Sequence, residues 1–108
     1  IRSQENKIVQ DDKKVKAANF PNPFNLSTRI TYQLDTDAYV SVDIYNVQGR
    51  KIKSMTNEYK SSGIHSVVWN GYNDEGQIVS SGIYYFKIQT EAQNSQREST
   101  FQKMLLVK

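Results

Sequence analysis

Few side chains in this sequence could carry out catalysis. The single histidine, His65, has no serine, cysteine or acidic residue at a spacing that would mark a proton-transfer partner. The chain has no cysteine, so thiol nucleophiles, disulfides and thiolate metal sites are excluded. Its carboxylates fall mostly in predicted turns, and no two of them stand out as the acid and base of a glycosidase. We therefore expect no enzymatic activity and no organic cofactor.

One short loop is rich in the oxygen ligands that calcium prefers. Asn70, Asn73, Asp74 and Glu75 supply amide and carboxylate oxygens there. Their spacing does not match the helix-flanked calcium loop. The alternative, which we favour, is that the Asn and Asp side chains bond to their own backbone and hold the turn. Calcium is kept as a hypothesis for this loop.

Four aromatic residues are predicted to lie in loops or off the core face of their strands. They are Tyr45, Tyr72, Tyr85 and Phe101. Carbohydrate-binding β-sandwiches stack sugars on exposed rings, so a polysaccharide is one predicted partner. The alternative is ordinary strand composition, because Tyr and Phe favour pleated, half-buried surfaces.

The charge pattern argues against nucleic acid as a partner. The 14 basic and 11 acidic residues give a formal net charge of +3, and the two signs are interspersed along most of the chain. This balance favours solubility and does not indicate nucleic-acid binding. No run of residues approaches the ~20 apolar positions of a membrane span, and no signal peptide opens the chain. We expect an export signal, and a catalytic or adhesive domain, further upstream in a longer protein.

Alternation of apolar and polar residues indicates β-strands. The clearest segments contain Ile30, Tyr32 and Leu34; Val40, Val42 and Ile44; and Tyr84, Phe86 and Ile88. Shorter strands are predicted from Arg50 to Met55, from Ile64 to Trp69 and from Thr100 to Val107, with Trp69 at the centre of the core. About seven strands separated by turn-forming residues predict an all-β antiparallel sandwich.

The chain divides into two regions by composition. Residues 1–16 are polar and charge-mixed, which predicts a linker or N-terminal arm. Residues 17–108 are predicted to form one domain. Near its start, Pro21 and Pro23 flank Asn22 and withhold two backbone donors, so this segment cannot be a central strand.

Several short motifs occur in a fixed order along this domain. They are Asn19-Phe20-Pro21-Asn22-Pro23-Phe24-Asn25, Ser27-Thr28, Val42-Asp43-Ile44-Tyr45-Asn46-Val47-Gln48-Gly49-Arg50, Trp69-Asn70-Gly71, Asp74-Glu75-Gly76, Ser81-Gly82-Ile83-Tyr84 and Lys103-Met104-Leu105-Leu106-Val107-Lys108. Together they resemble the type A C-terminal sorting domain of the type IX secretion system and the closely similar Ig-like domain of flagellar hook-capping proteins. The similarity runs from about Asn19 to Lys108. One departure is Leu26, where related domains commonly have Pro.

This resemblance implies an Ig-like sandwich that directs its protein through the periplasm and across the outer membrane of Bacteroidetes and related phyla. The protein is then secreted or attached to the cell surface. The implied partners are the outer-membrane translocon and its sortase, which carry out the chemistry. Cleavage, where it occurs, is expected in the polar stretch before Ala17. The implied sorting residues are Pro21, Asn22, Pro23, Gly49, Arg50, Gly82, Tyr84, Lys103 and Lys108.

Two alternatives to the sorting function stay open. One is an Ig-like spacer or carbohydrate-binding accessory module of a secreted glycoside hydrolase or adhesin. The other is the Ig-like domain of a flagellar hook-capping protein. A final strand ending at Lys108 weakens the hook-cap alternative, because it suits an exported hydrolase or adhesin as well as a sorting domain. We rank sorting first.

Overall fold

A computed structural model describes residues 15–108, which form two antiparallel β-sheets. The strands are β1 Lys16–Phe20, β2 Thr28–Leu34, β3 Ala38–Asn46, β4 Lys51–Lys60, β5 Gly63–Trp69, β6 Gly82–Ala92 and β7 Arg97–Leu106. The smaller sheet has the order β1-β2-β5, and the larger has the order β4-β3-β6-β7. The predicted all-β, Ig-like sandwich of about seven antiparallel strands is confirmed.

The core lies between the two sheets and consists of the apolar residues at alternate strand positions. Trp69, at the end of β5, is 0% exposed, as its predicted central position requires. The sequence alternation therefore assigned the inner faces correctly, because each strand buries every second side chain. The buried apolar residues are Val15, Phe24, Ile30, Tyr32, Leu34, Ala38, Val40, Val42, Ile44, Trp69, Tyr84, Phe86, Ile88, Met104 and Leu106.

Two predicted strands are longer in the structure than their sequence patterns indicate. The strand predicted from Arg50 to Met55 runs from Lys51 to Lys60, where the sequence pattern indicated a polar loop. This strand is at the edge of its sheet, and its pairing with β3 shifts register twice, so its burial does not alternate. The final strand begins at Arg97 rather than Thr100, because polar side chains occupy its exposed start.

The first strand, β1, was not recognised in the sequence. Lys16–Phe20 pairs antiparallel with β2, but its residues Lys, Ala, Ala, Asn and Phe carry no apolar alternation. Val15, just before it, is buried in the core.

The predicted arm, apart from its last two residues, and most of the stretch in which cleavage is expected lie outside the described residues. Across residues 15–108, no helix has the length and apolar character needed to cross a membrane.

Candidate functional site

One end of the sandwich gathers the turns that contain the sequence motifs. In the larger sheet, Asn46 at the end of β3 lies opposite Tyr84, and Gly82 lies opposite Leu106 near the end of β7. In the smaller sheet, Trp69 ends β5 opposite Thr28. We call this end the motif pole. It comprises residues 21–28, 46–50, 69–84 and 103–108.

The proline-containing segment at the motif pole covers the end of the β7 edge. Phe24 N donates to Leu105 O at 2.9 Å, and Val107 N donates to Phe24 O at 2.8 Å. The Asn22 side chain extends this pairing, because its Oδ1 accepts from Leu105 N at 3.0 Å and its Nδ2 donates to Lys103 O at 3.4 Å. Proline has no backbone N–H, so in this segment the Asn22 amide and the Phe24 backbone provide the donors. An otherwise open strand edge is thereby paired.

Three buried aromatic rings form the floor of the motif pole. The ring centroid of Trp69 lies 5.8 Å from that of Phe24 and 5.3 Å from that of Tyr84, the latter in an edge-to-face arrangement. The polar tips are satisfied: Trp69 Nε1 donates to Tyr72 O at 2.9 Å, and Tyr84 Oη donates to Ser80 O at 2.7 Å. These two bonds fix the loop between β5 and β6 to the core.

The turn between β3 and β4 is held by a single asparagine. Asn46 Oδ1 accepts from Gln48 N and Arg50 N, each at 3.0 Å. The Asn46 backbone also bonds to Gly49 N and Arg50 O, both at 2.9 Å. Gly49 has φ 84°, a left-handed conformation that glycine adopts without strain. The predicted Gly49-Arg50 turn is present, and Asn46 is its structural determinant.

The loop proposed for calcium contains a second turn with the same four hydrogen bonds to an asparagine. Asn73 Oδ1 accepts from Glu75 N at 3.0 Å and from Gln77 N at 2.9 Å. The Asn73 backbone bonds to Gly76 N at 3.0 Å and to Gln77 O at 2.9 Å. The shared pattern Asn-x-x-Gly-x at residues 46–50 and 73–77 was a signal available in the sequence. Asn73 therefore serves the turn in the way that Asn46 does.

The other oxygens of this loop are not gathered around one point. The Asp74 carboxylate accepts from Ser54 N at 3.2 and 3.3 Å and lies 3.7 Å from Lys53 Nζ. Asn70 and Glu75 are exposed. Among residues 15–108, no group of three or more His, Cys, Asp or Glu side chains could hold a metal ion. Calcium binding at Asn70, Asn73, Asp74 and Glu75 stays a prediction.

The sorting residues implied by the sequence resemblance all lie at the motif pole. Gly49 and Arg50 occupy one side of the pole, and the other members are close to the end of β7. Lys108 N donates to Ser81 Oγ at 3.1 Å, which ties the last residue to the start of β6. Arg50, Lys103 and Lys108 are exposed and form no ion pair with another described residue, and the same pole also contains the exposed carboxylates of Asp74 and Glu75. The members near the end of β7 are Pro21, Asn22, Pro23, Gly82, Tyr84, Lys103 and Lys108.

The backbone conformation at Leu26 accounts for the absence of the Pro that related domains commonly have at this position. Its φ is 78°, in the left-handed region, and its side chain is exposed. Proline is locked near a φ of about −65° and could not adopt this conformation. The turn leading into β2 is therefore built on a backbone conformation that excludes Pro.

Three of the four predicted platform aromatics come together on the outer face of the larger sheet. Tyr85 and Phe101 are stacked, with ring centroids 4.9 Å apart and an interplanar angle of 12°. Tyr45 lies 5.9 Å from Phe101. Tyr72 is separate from them, in the loop of the motif pole, where it forms an isolated bridge with Ile78.

Within residues 15–108, the contacts of the His65 ring are with a backbone carbonyl and an aromatic ring. Its Nε2 donates to Ser61 O at 2.7 Å, and its ring lies 5.6 Å from that of Tyr32. Burial raises the pKa of the Tyr32 hydroxyl above its usual value; the charge of Lys60 opposes this shift, and that of Glu58 adds to it. Both side chains serve the packing of the smaller sheet.

Solved structures share this sandwich. Latent PorU from Porphyromonas gingivalis matches with a TM-score of 0.71 and 20% identity over 86% of this chain and 9% of its own. PorZ, described as an essential surface component of the type IX secretion system of the same organism, matches with a TM-score of 0.52 and 22% identity, covering 85% of this chain and 11% of its own. FlgD from Xanthomonas campestris, described in connection with hook capping, matches with a TM-score of 0.59 and 14% identity, covering 84% and 62%.

These similarities establish the fold, and the chain spans less than two thirds of each of these proteins. A search of curated proteins finds no match. The family model of the FlgD Ig-like domain matches residues 22–94, a range that begins at Asn22 and includes both asparagine turns and all of β6. The chain belongs to the FlgD Ig-like domain family.

Proposed function

We propose that this chain is a non-catalytic sorting domain that directs an exported protein through the type IX secretion system. One observation carries the proposal. The residues implied for sorting are spread from Pro21 to Lys108, yet all of them lie at one end of the sandwich. A translocon that reads the domain could therefore contact the exposed members in one encounter, while the buried Tyr84 supports them from the core.

The motif pole has the physical properties of a recognition surface. Its backbone is held by the hydrogen bonds of Asn22, Asn46 and Asn73, so its shape is set before binding. Preorganisation of this kind lowers the entropic cost of association. The exposed charges of the pole, Arg50, Lys103 and Lys108 on one side of the balance and Asp74 and Glu75 on the other, can specify the orientation of a partner with complementary charges.

The remaining assignments follow from this proposal. The partners are the outer-membrane translocon and its sortase, and the destination is the medium or the cell surface. An upstream catalytic or adhesive domain is the cargo. The fold similarity to PorZ, which is described as a component of this secretion system, supports the connection.

A second candidate is supported by the family match itself. The family model is that of the FlgD Ig-like domain, and the FlgD of Xanthomonas campestris is described in connection with hook capping. In this alternative the domain is part of a flagellar hook cap. In the remaining alternative, the domain is an Ig-like spacer in a secreted enzyme or adhesin. It would then have the same fold, but no partner would bind the motif pole.

A reporter fusion tests the sorting proposal. The whole chain is fused to the C-terminus of a periplasmic reporter in a type IX-competent bacterium, and surface and periplasmic reporter are measured separately. The matched control carries the Ig-like domain of Xanthomonas campestris FlgD, which has the same fold and 14% identity to this chain. We expect surface reporter with this chain only. Equal periplasmic retention of both fusions would contradict the proposal.

A chimera tests the hook-capping alternative. This chain replaces the Ig-like domain of FlgD in a flagellated bacterium, and hook length and motility are recorded. Restored hook assembly would support the second candidate, and it would do so independently of the secretion assay.

A further inference from the structure

The outer face of the larger sheet presents side chains in ordered cross-strand rows. Strands β3, β6 and β7 are in continuous antiparallel register, so residues directly opposite one another point to the same side. Successive rows are about 6.8 Å apart along the strands. From the motif pole outward, the rows are Tyr45-Tyr85-Lys103, Asp43-Lys87-Phe101, Ser41-Gln89-Ser99 and Tyr39-Glu91-Arg97.

Three rings of the first two rows form an aromatic shelf, which consists of Tyr45, Tyr85 and Phe101. Phe101 stacks on Tyr85, with ring centroids 4.9 Å apart, and its centroid is 5.9 Å from that of Tyr45. Phe101 is nevertheless 54% exposed. Because Tyr85 covers one face of the Phe101 ring, the exposed area includes the opposite face. The shelf therefore presents to solvent a flat apolar ring that its neighbours hold in place.

An open groove with a volume of about 380 Å³ begins one row beyond Phe101. Its lining includes the uncharged row Ser41-Gln89-Ser99, which Asn57 extends onto β4. Tyr39 lines the groove one row further on; its side chain is 46% exposed, and its Oη donates to Asn57 O at 3.0 Å. Hydroxyl and amide groups that can both donate and accept hydrogen bonds thus lie between two exposed aromatic side chains.

The charges of these rows are largely paired with one another. Asp43 is buried, lies opposite Lys87 and is 3.7 Å from Lys51 Nζ. Glu91 lies opposite Arg97, and its Oε1 is 3.6 Å from Arg97 Nε. A ligand on this face is therefore not required to supply charge of either sign.

The groove itself disfavours an anionic ligand. Two carboxylates line it, Glu91 and Glu98, against the single cation Arg97. Lys103, the cation beside the shelf, belongs to the motif pole and does not line the groove. Like charges placed against one another suppress binding, so a polyanion would be repelled where the groove is deepest.

The polar lining also disfavours an apolar protein surface as the occupant. Such a surface would remove water from the hydroxyl and amide groups of the groove without replacing its hydrogen bonds. A sugar whose hydroxyls are all equatorial has the complementary distribution of groups. Its two faces are flat and consist of C–H groups, and its hydroxyls project from the rim, where they can bond to the groove.

We infer that the aromatic shelf and the groove bind a neutral polysaccharide, a β-linked glucan of the cellulose type. One glucose ring stacks on the open face of Phe101, and the next rings place their hydroxyls over Gln89 and Ser99. The shelf borders the motif pole, because Lys103 lies opposite Tyr85, but the binding residues are not members of the pole. The site goes beyond the sorting proposal and can be tested without it.

Affinity gel electrophoresis tests the site with two soluble derivatives of the same glucan. The full chain is run in native gels that contain neutral hydroxyethylcellulose or its acidic counterpart, carboxymethylcellulose. We expect retardation by hydroxyethylcellulose and weaker or no retardation by carboxymethylcellulose, because the groove repels carboxylates. Added salt should leave the retardation by hydroxyethylcellulose unchanged, since a neutral ligand has no charge to be screened.

Substitutions in the shelf and in the groove locate the binding. Phe101→Ala should weaken binding to hydroxyethylcellulose by about tenfold or more, the scale of one aromatic contact together with its buried area. Phe101→Tyr keeps the ring and should bind as the unaltered chain does. Gln89→Ala should weaken binding by roughly two- to tenfold, the scale of one hydrogen bond.

Phe20→Ala is the matched control, because it removes a ring that is 80% exposed on β1 of the other sheet. It should bind normally, and circular dichroism verifies that each variant is folded. The proposal is overturned by an absence of retardation in hydroxyethylcellulose, by equal or stronger retardation in carboxymethylcellulose, or by binding that is lost in salt. Normal binding by a folded Phe101→Ala variant also overturns it; where that variant does not fold, normal binding by Gln89→Ala does so.

Discussion

Replacement of Asn22 by Ala tests whether the side chain of this residue completes the β7 edge. The amide accepts from Leu105 N at 3.0 Å and donates to Lys103 O at 3.4 Å. Alanine removes both bonds while leaving the flanking prolines unchanged. The Phe24 backbone bonds to Leu105 and Val107 stay in place. The substitution therefore isolates the side-chain contribution.

The expected loss follows from the geometry of the two bonds. A hydrogen bond contributes about 0.5–1.5 kcal/mol net to the free energy of unfolding. The Asn22 bonds are exposed and one of them is long, so each belongs near the lower limit. We expect a total loss of about 1 kcal/mol, which corresponds to a fall in Tm of roughly 4–8 °C for a domain of this size.

The measurement is urea and thermal unfolding followed by circular dichroism. Asn25→Ala is the matched control, because Asn25 is exposed in the same segment and its side chain makes no hydrogen bond within the described residues. It should change the free energy of unfolding by less than about 0.5 kcal/mol, the usual range for a surface substitution. An Asn22→Ala variant as stable as Asn25→Ala would refute the edge-pairing argument.

Three further predictions concern the turns and the core. Asn46→Ala and Asn73→Ala should each lower the free energy of unfolding by about 1 kcal/mol, because two exposed backbone donors lose their acceptor in either turn; clearly unequal losses in parallel urea titrations would argue against their equivalence. Millimolar calcium should leave the Tm unchanged, because Asn73 Oδ1 and the Asp74 carboxylate already accept backbone bonds; a rise of several degrees would support a calcium site. Tyr32 should make unfolding pH-dependent above its usual pKa of about 10, because burial raises the pKa of its hydroxyl in the folded state. Its contribution to stability is present below that pH and is lost as the pH rises through the folded-state pKa, so Tyr32→Phe should lose stability less steeply in that range; parallel slopes would contradict this reasoning.

The sequence predicted the parts of the fold in which one face of a strand is buried. The alternation of apolar and polar residues located β2, β3 and β6. Trp69, the single tryptophan, was correctly predicted to lie at the centre of the core. The alternation failed for β1 and for the second half of β4. Both are edge strands: the burial of β4 is irregular, and in β1 burial alternates only between exposed and half-buried positions, with the apolar Phe20 at an exposed one. Partial burial leaves no periodic signal.

The candidate sites depended on strand register, which the sequence did not contain. Motifs were recognisable one by one, but their convergence at the motif pole follows from the pairing of Asn46 with Tyr84 and of Gly82 with Leu106. Tyr72 lies apart from Tyr45, Tyr85 and Phe101 because it belongs to the loop between β5 and β6. The equivalence of the Asn46 and Asn73 turns is visible in the sequence, since both segments have the pattern Asn-x-x-Gly-x.

The most direct test of the sorting proposal is the ratio of surface to periplasmic reporter in cells that carry the whole-chain fusion. It is measured by protease accessibility in a type IX-competent strain and in an otherwise identical strain without the outer-membrane translocon. The sorting proposal predicts that most of the reporter is surface-exposed in the first strain and periplasmic in the second. A stable, folded fusion that stays in the periplasm of both strains would contradict it.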